Sequence, residues 1–413
     1  MNPEKIKTTI CIVGAGPAGA TASIFLCKMG IEHVIVDAAV FPRDKICGDG
    51  IDLNAMRVLN HIDPSIVEKD MMGNTTVFSP SQGFRFILPG GRKVDIIRKA
   101  NKNPLENKPM FFVSKRSDFD NLLVSKINPA IANIHLGTHI EKISRLENGW
   151  ILEGKNATRN IQIETDFLIG ADGDHSVVLK HLGERKIDRN HYVGAVRQYW
   201  KGVDGLHPGN LLEVYFPPKL PLSYFWIFPL PDGKANVGYG MASNYIAKKN
   251  INVRQELENF IKTDPLFSER FKNAEAGETV KGWGLPLSGS SRKVNGDGWL
   301  LIGDAAALIC PTSGEGIGMG MISGYVAAKF LQRAVQQNNF SEKMFTHYHR
   351  EIHKRLKTEA RIYQIFNFIP SWLYSFGINM VLSNRLFKYW LSAKAMHKWL
   401  DTAYNKEIEV NLN

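Results

Sequence analysis

Two kinds of hydrophobic pattern follow one another along this chain. Some stretches are apolar at nearly every position, as in Thr8–Val13 and Phe167–Gly170, whereas others alternate apolar and polar residues, as in Tyr192–Trp200 and Leu212–Phe216. Continuous apolar runs are typical of parallel strands buried on both faces, and alternation is typical of antiparallel strands with two unlike faces. The pattern therefore predicts a covered parallel sheet and a separate, twisted antiparallel sheet.

The first apolar run opens a strand–helix–strand unit. The pattern predicts a helix over Pro17–Met29 and a second buried strand over Ile31–Val36. Three glycines lie in and just after the turn that precedes the helix, and an acid follows the second strand: Gly14, Gly16, Gly19 and Asp37. This arrangement is the phosphate-binding fingerprint of a dinucleotide-binding βαβ unit.

Each residue of this fingerprint has a separate expected role. Gly14 permits the tight turn, Gly16 lets a pyrophosphate approach the backbone, and Gly19 lets helix and strand pack closely. The backbone N–H groups at the start of the helix, near Ala18, are expected to face the phosphates. Asp37 is expected to hydrogen-bond the adenosine ribose.

Composition narrows the class of protein. The chain has 413 residues, a formal net charge of +11 and 44% hydrophobic residues, so it can bury a full core in two or three domains. No signal peptide is expected, because the first apolar run is the nucleotide-binding strand. The sequence shows no basic tract interleaved with stacking aromatics, so the charge suits an anionic membrane surface or substrate better than nucleic acid. The cysteines are far apart, which predicts a reduced, cytoplasmic setting and no metal site: Cys11, Cys27, Cys47 and Cys310.

Three later motifs specify the dinucleotide as FAD. Leu168–Gly173 places an acid and a glycine at the end of a strand, and Gly303–Ala306 follows the predicted strand Trp299–Ile302. Gly314–Ile317 opens a long helix whose N–H groups are expected to face the flavin pyrimidine edge. The carboxylate of the second motif is expected to bind the ribityl hydroxyls. The cofactor contacts predicted from these motifs are Asp172, Gly173, Asp304, Gly316 and Ile317.

The order of elements predicts an α/β protein, α+β overall. We expect a Rossmann-like FAD-binding domain interleaved with an antiparallel-sheet substrate domain and a helical C-terminal tail. The substrate domain is expected to begin with a strand at Thr75–Phe78. The predicted limits are 1–75, 111–185 and 291–335 for the FAD-binding domain, 76–110 and 186–290 for the substrate domain, and 336–413 for the tail.

Two further segments resemble signatures of the geranylgeranyl reductase family of FAD-dependent oxidoreductases, within the hydroxylase-like flavoproteins. Pro42–Gly50 resembles the family's basic-Cys-Gly loop, and Tyr224–Pro229 with Ala235–Gly240 resembles its substrate-domain signature. The resemblance covers roughly residues 8–335 and implies an enzyme that saturates isolated double bonds of prenyl chains with non-covalent FAD. One modest departure is Asp37, which stands where many members carry Glu and still serves the ribose.

The resemblance also implies roles for individual side chains. Tyr224, Trp226 and Phe228 alternate along one strand, so they share a face, which is expected to line a slot for the prenyl chain. The alternative for these aromatics is an ordinary sheet core. The loop and a later helix start are expected to contact FAD through Arg43, Cys47, Gly48, Gly50 and Arg116.

Hydrogenation of an isolated double bond has particular requirements. Such a bond has no carbonyl to polarise it, so catalysis needs a close hydride from the flavin, a proton donor and exclusion of water. Cys47, which stands among basic residues, is the first candidate donor, and Asp49 is the second. Tyr224 and Trp226 complete the expected catalytic set. The resemblance carries Cys310 to the flavin as well, so a redox-linked pair with Cys47 stays open.

The C-terminal segment is apolar but interrupted. Residues 362–384 carry no charge, yet Pro370 and several amide side chains break the run, so we expect two amphipathic helices rather than one membrane-spanning helix. They are expected to cover a lipid slot or to contact the inner face of a membrane, with packing on the protein's own core as the alternative. The basic residues that accompany them are Arg385, Lys388, Lys394 and Lys398.

Alternatives to prenyl reduction stay open from the sequence alone. The same scaffold serves aromatic hydroxylases and halogenases; the characteristic lysine and tryptophan-rich motif of halogenases is absent, but a hydroxylase is not excluded by motif. A non-catalytic prenyl-binding protein would not need the complete flavin motifs. The sequence also leaves open the lipid, whether geranylgeranyl or an isoprenoid quinone such as menaquinone. The electron donor, whether NAD(P)H, a reduced ferredoxin or a quinol, and the oligomeric state are open too.

Overall fold

A computed structural model describes residues 3–88, 90–97, 108–184, 186–218, 220, 222–366, 369, 371–391 and 395–412. Within these residues the strands form two sheets of eight strands each and one small sheet of three strands. The two large sheets correspond to the parallel and antiparallel sheets that the hydrophobic pattern predicts.

The elements of the described residues are numbered in chain order. The strands are β1 (Glu4–Val13), β2 (His33–Asp37), β3 (Gly50–Ile51), β4 (Ser79–Ser81), β5 (Gly83–Ile87), β6 (Lys93–Ile97), β7 (Phe111–Val113), β8 (Ala132–Leu136), β9 (His139–Leu146), β10 (Gly149–Lys155), β11 (Asn160–Gly170), β12 (Tyr192–Lys201), β13 (Leu212–Tyr215), β14 (Ser223–Pro229), β15 (Lys234–Ala242), β16 (Glu275–Ala276), β17 (Lys281–Pro286), β18 (Asn295–Gly296) and β19 (Trp299–Leu301). The helices are α1 (Pro17–Lys28), α2 (Leu53–Ile62), α3 (Arg116–Ser125), α4 (Val177–His181), α5 (Ser243–Lys249), α6 (Val253–Lys262), α7 (Ser268–Phe271), α8 (Ile317–Gln336), α9 (Tyr348–His353), α10 (Lys357–Phe366), α11 (Ser371–Ser383), α12 (Arg385–Trp390) and α13 (Met396–Asn405).

The first large sheet is built around β1. Its strand order is β18-β19-β11-β1-β2-β8, with the hairpin β9–β10 attached to β11, and β1 pairs in parallel with both β11 and β2. The outer half of β1 alternates in burial, whereas residues 10–13 are all buried. That difference follows from position, because the inner half has a strand on each side and helices over the sheet.

Glycines allow α1 to pack closely against α8 and against the turn that precedes α1. A Cβ on Gly324 would lie 2.4 Å from the carbonyl oxygen of Ala18, and a Cβ on Gly19 would lie 1.8 Å from the carbonyl oxygen of Gly14. Only glycine fits at such separations. The short contacts bring the N-termini of both helices to the same edge of the parallel sheet, and Gly19 has the packing position predicted for it.

The second large sheet has the order β16-β12-β15-β14-β13-β5-β6, with β17 on β12. All its pairings are antiparallel except β13 with β5. Along β14, Phe225 and Ile227 enter a core that includes Phe260 of α6, and the intervening aromatics point to the opposite face. The alternation predicted from the sequence is thus confirmed in the strand.

Some predicted limits are wrong or approximate. Thr75–Phe78 is a turn rather than a strand, because the carbonyl of Asn74 accepts hydrogen bonds from the amides of Val77 and Phe78 and removes them from any ladder. The strand starts at Ser79. Helix α3 begins at Arg116, which agrees with the helix start that the sequence places at this residue. The predicted domain limits stay a prediction.

The tail is helical, as expected. Residues 362–384 fall mainly in α10 and α11, which agrees with two helices in place of one span. Within the described ranges, no helix is long and apolar enough to cross a bilayer. The sequence predictions that concern Pro370 and Lys394 lie outside the described residues.

Candidate functional site

A cavity of about 1150 Å³ lies between the two large sheets. Its wall comprises the β1–α1 turn, the loop 43–50 (the Cys47 loop), the ends of β11 and β19, the start of α8 and one face of β14. Asp49 and Gly19 are the predicted site residues that do not line it. All the others do: Gly14, Gly16, Ala18, Asp37, Arg43, Cys47, Gly48, Gly50, Arg116, Asp172, Gly173, Tyr224, Trp226, Phe228, Asp304, Gly316 and Ile317.

The glycine turn leaves an open cradle at the start of α1. The amide of Gly14 donates to the carbonyl of Val36 at 2.7 Å, and the amide of Ala15 donates to Asp37 Oδ2 at 2.7 Å. A Cβ built on Gly16 would meet only Arg43 Nη2, at 3.5 Å, so its face is open to the cavity. Asp37 thereby joins the turn to β2; its contact with a ribose stays a prediction.

Two helix N-termini face this cavity. Helix α1 follows Gly16 and α8 follows Gly316, and neither of these N-cap glycines supplies a side-chain cap, although Asp52 accepts from the amide of Gly318 in the first turn of α8. Uncapped N–H groups and the positive end of the helix dipole favour a bound anion. The two ends fit a pyrophosphate at α1 and an electron-rich pyrimidine edge at α8, which is the charge pattern of FAD.

A buried cluster of two arginines and one carboxylate closes the cavity beside the Cys47 loop. Asp120 accepts two hydrogen bonds from Arg116 and one from Arg43, at 2.7 to 2.8 Å, and its side chain is fully buried. Burial alone would lower the pKa of Arg116, but Asp120 and the nearby Cys47 raise it above its ordinary value. Two cations against one anion leave a net positive charge next to Cys47.

Asp304 lies on the turn that follows β19. Its carboxylate is 3.7 Å from Lys45 Nζ, and a Cβ on Gly316 would come within 3.5 Å of its Oδ1. Lys45 also lies over the ring of Trp283, 4.4 Å from its centroid, and burial lowers the pKa of the ammonium. Lys45 and Trp283 line the cavity but were not predicted as site residues, although Lys45 belongs to the loop motif.

Asp172 has a structural task beside its place in the cavity wall. It accepts a hydrogen bond from the hydroxyl of Ser176 at 2.6 Å and others from the amides of Val177 and Val178. These bonds hold the start of α4 under the cavity. Burial raises the pKa of Asp172.

Comparison with known proteins shows an FAD binding domain and similarity to known reductases. Residues 7–201 match the family model described as an FAD binding domain. The chain is 28% identical over 346 residues to digeranylgeranylglycerophospholipid reductase 1 of Methanosphaera stadtmanae, covering 83% of this chain and 80% of the relative. It is 29% identical over 335 residues to menaquinone reductase of Mycolicibacterium smegmatis, covering 79% and 76%. In fold it matches a geranylgeranyl bacteriochlorophyll reductase-like protein of Thermoplasma acidophilum, with a TM-score of 0.78 at 21% identity over 97% of this chain and 98% of that one.

The chain is thus an FAD-dependent oxidoreductase that is similar to digeranylgeranylglycerophospholipid reductases and to menaquinone reductases. FAD is its cofactor, and the cradle, the open helix ends and Asp304 are the groups of this chain that fit it.

The second predicted proton donor of this enzyme does not face the cavity. Asp49 belongs to the Cys47 loop, but its side chain is completely buried on the side away from the cavity. There Oδ2 accepts hydrogen bonds from Tyr199 at 2.6 Å and Asn236 at 2.9 Å. Burial raises its pKa to about 6, against hydrogen bonds that lower it. Its backbone has φ of 65°. Sequence proximity to Cys47 suggested a donor, but the left-handed turn at this residue sends the carboxylate inward.

The two cavity cysteines are free thiols on neighbouring loops. Tyr224 is near both: its hydroxyl donates to the carbonyl of Ser313 at 3.3 Å. Its pKa is raised by burial, then by Glu315, Cys47 and Cys310. Tyr224 thus joins the Cys47 loop to the turn before α8.

Asp52 and Glu315 are cavity residues that sequence reasoning assigned no role. Asp52 caps α2 by accepting from the amide of Ala55 at 2.7 Å, and it also accepts from the amide of Gly318 at the start of α8. Burial raises the pKa of both carboxyls, and the charge of Asp52 raises that of Glu315 further. The sequence feature that could have identified Asp52 is its position directly after the Cys47 loop, as the N-cap residue of α2.

Replacement of Gly16 by Val is expected to abolish FAD binding without unfolding the protein. The new side chain would project into the cradle where the pyrophosphate approaches the backbone. The measurement is flavin absorbance per mole of purified protein, with thermal unfolding as the check on folding. Gly377→Val is the matched control, because a Cβ at Gly377 in α11 meets nothing within 4 Å. Full flavin content in Gly16→Val would show that the phosphates bind elsewhere.

Asp49→Asn is expected to stabilise the folded protein at alkaline pH and not at acid pH. The pKa of this carboxyl is about 6 in the folded protein and ordinarily 3.8, so the carboxyl destabilises the folded protein at a pH where it is ionised in both the folded and the unfolded chain. This destabilisation disappears as the pH falls from about 6 to below 3.8. The difference in unfolding free energy should be about 1 to 3 kcal/mol near pH 8 and close to zero below about pH 4.

Urea unfolding of both proteins at several pH values measures this difference. Asp232→Asn is the matched control, because Asp232 also has a left-handed backbone (φ of 60°) but its side chain is 67% exposed. An equal gain from both substitutions, or a gain at Asp49 that does not vary with pH, would contradict the assignment.

Proposed function

We propose that this enzyme saturates isolated carbon–carbon double bonds in the prenyl chains of a membrane lipid or isoprenoid quinone. The observation that carries the proposal is the shape of its cavity, which continues from the dinucleotide cradle into an apolar slot. The slot is lined by Tyr224, Trp226 and Phe228 of β14 and by further aromatics on β5, β7 and after β13: Phe84, Phe86, Phe111 and Phe216. A long apolar channel beside the cofactor suits an extended hydrocarbon chain.

The C-terminal helices cover this slot. Phe387 of α12, Met396 of α13 and Tyr404 pack into one apolar cluster with Phe84 and Phe228 of the slot wall. Exclusion of water is what reduction of an unpolarised double bond requires. The tail therefore supports the same function as the slot, although no predicted motif extends into it.

The residues around the slot supply what the reaction needs from the protein. When bound, FAD supplies the hydride that adds to one carbon of the double bond. The aromatic wall of β14 holds the chain, and the thiol of Cys47 gives its proton to the other carbon. The resulting thiolate lies beside the guanidinium of Arg116, which stabilises it. An external donor, NAD(P)H, a reduced ferredoxin or a quinol, then restores reduced cofactor, and the proton on Cys47 is regained from solvent.

The names of the relatives support this choice over hydroxylation. One relative is named for a digeranylgeranylglycerophospholipid and another for menaquinone, and both compounds carry polyprenyl chains. The Cys47 loop and the β14 aromatics of this chain suit that substrate class.

Reduced enzyme is expected to be reoxidised by a prenyl lipid in the absence of oxygen. The test mixes anaerobically reduced protein with geranylgeranyl lipid or menaquinone, follows the return of oxidised flavin absorbance, and detects products heavier by two hydrogens per step by mass spectrometry. Cys47→Ser should bind FAD normally but react at least about tenfold more slowly, because a serine hydroxyl is a much weaker acid.

Two results would count against these assignments. Reoxidation by neither lipid, together with substrate-dependent oxygen consumption, would favour the hydroxylase. A wild-type rate in Cys47→Ser would assign the proton to another group.

We further propose that an anionic membrane surface holds the substrate, and that this enzyme contacts it through exposed side chains of residues 362–399, the C-terminal patch. Of the twelve large hydrophobic side chains recorded as exposed in the described residues, ten lie in this patch, among them Leu386 at 79% and Phe376 at 60%. The sequence of residues 362–399 contains four lysines and arginines and no acidic residue. Apolar surface combined with positive charge favours anionic bilayers.

The position of the C-terminal patch relative to the cavity adds to the argument. Lys398, Trp399 and Thr402 of α13 line the cavity, and Trp399 is also 46% exposed. A prenyl chain that leaves the bilayer under the patch would thus have a short path into the apolar slot.

The double substitution Leu386→Glu/Trp390→Glu is expected to weaken binding to vesicles at least about tenfold, because two exposed apolar groups are replaced by negative charges. The measurement is flotation with vesicles of phosphatidylglycerol, compared with vesicles of phosphatidylcholine. Ile187→Glu is the control, since Ile187 is 60% exposed outside the patch. Equal flotation of the double variant and the wild type would exclude this surface.

A further inference from the structure

One amide side chain joins the Cys47 loop to the aromatic wall of the slot. Asn236, on β15, is completely buried. Its Nδ2 donates to the carbonyl of Cys47 at 2.8 Å and to Asp49 Oδ2 at 2.9 Å, and its Oδ1 accepts from Trp226 Nε1 at 2.9 Å. Every polar atom of this amide is therefore engaged by a residue of the loop or of the wall.

These contacts determine how closely the loop approaches the wall. A Cβ on Gly48 would lie 3.5 Å from the ring of Phe228 and 3.7 Å from Trp226 Nε1, so the loop backbone rests directly on the aromatics. Van der Waals contact of this kind sets distance, but it does not set the direction in which a neighbouring side chain points. The hydrogen bond from Asn236 to the carbonyl of Cys47 adds direction, because it fixes the orientation of the peptide group between Cys47 and Gly48.

The other groups around Asp49 support the same arrangement. Tyr199 donates to the carboxylate that Asn236 also contacts, and the guanidinium of Arg197 lies 4.0 Å from the ring centroid of Tyr199. Arg197 and Arg116 are the charged groups whose fields reach Asp49. Asn236 thus lies where a network from β12 and the loop meets the slot.

We propose that Asn236 is a positioning residue for prenyl reduction: its amide holds the Cys47 loop and the indole of Trp226 in one fixed arrangement, so that the thiol faces the double bond held by the wall. This inference rests on the proposed function, since Asn236 touches neither the cofactor cradle nor the cavity. Its effect on the reaction is exerted through Cys47 and Trp226.

Asn236→Asp tests the donor role with almost no change of volume. Near pH 8 the introduced carboxyl still accepts from Trp226, but it lies about 2.9 Å from Asp49, and two buried carboxyls at this distance share one proton between them. The carbonyl of Cys47 then has no donor. We expect single-turnover reduction of the prenyl lipid to fall at least about tenfold, with FAD content unchanged. At about pH 5.5, uptake of a second proton by this pair restores a donor to the carbonyl of Cys47, and the rate relative to wild type should recover severalfold.

Asn133→Asp is the matched control, because Asn133 is exposed on β8. It should follow the wild-type pH profile. A purely structural role for Asn236 predicts a lower melting temperature and a uniform loss of activity, without recovery at acid pH. That outcome, or a wild-type rate near pH 8, would overturn the proposal.

A second readout does not depend on catalysis. In the oxidised holoenzyme, Cys47 is half-buried and the other three cysteines are buried, so iodoacetamide labelling followed by peptide mass spectrometry reports on the Cys47 loop. Asn236→Asp should increase the labelling rate of Cys47 at least about threefold near pH 8, because the loop opens more often. If the variant is labelled faster but the wild-type enzyme reduces no prenyl lipid, the proposed function is refuted and the role of Asn236 in holding the Cys47 loop stands. If the labelling rate is unchanged, that role is refuted.

Discussion

The close approach of α1 and α8 is the contact on which the rest of the site depends. Gly324 removes the side chain that would separate the two backbones, since a Cβ there would lie 2.4 Å from the carbonyl oxygen of Ala18, and Gly19 does the same between α1 and the turn that contains Gly14. Because both helices start at the cavity, this packing delivers two helix N-termini to one ligand. Binding of a dinucleotide with negative charge at two places then follows from backbone geometry alone.

The polarity of the cavity changes along its length. At the cradle, charges are buried but paired, as in the cluster of Arg43, Arg116 and Asp120. At the slot, the wall is aromatic and the tail helices pack against it. Buried charges are tolerated only when they are paired and hydrogen-bonded, so ion pairs specify the geometry of the charged end, whereas apolar packing alone shapes the other end.

The Cys47 loop lies at the junction of these two regions. Its basic residues belong to the charged end, because Arg43 pairs with Asp120 and Lys45 lies near Asp304. Its glycines rest on the aromatics of β14. A thiol located here has a cation on one side and an apolar surface on the other.

The sequence by itself determined the cofactor, the alternation of β14 and a set of site residues of which nearly all line the cavity, because each of these depends on local spacing or on a short motif. The tertiary structure alone decided which side chains share a partner. Asp49 follows Cys47 by two residues, yet a left-handed turn directs it away from the cavity and into the network of Tyr199 and Asn236. Asp52 and Glu315 are more than 250 residues apart in the chain and interact only because α8 packs against the start of α2. The strand predicted at Thr75–Phe78 is wrong for a local reason. Its apolar and β-branched residues favour a strand, but the carbonyl of Asn74 accepts hydrogen bonds from the amides of Val77 and Phe78 and holds the segment in a turn. Local pattern fixes periodicity and backbone preference, whereas burial, charge coupling and shared hydrogen bonds arise only when distant segments meet.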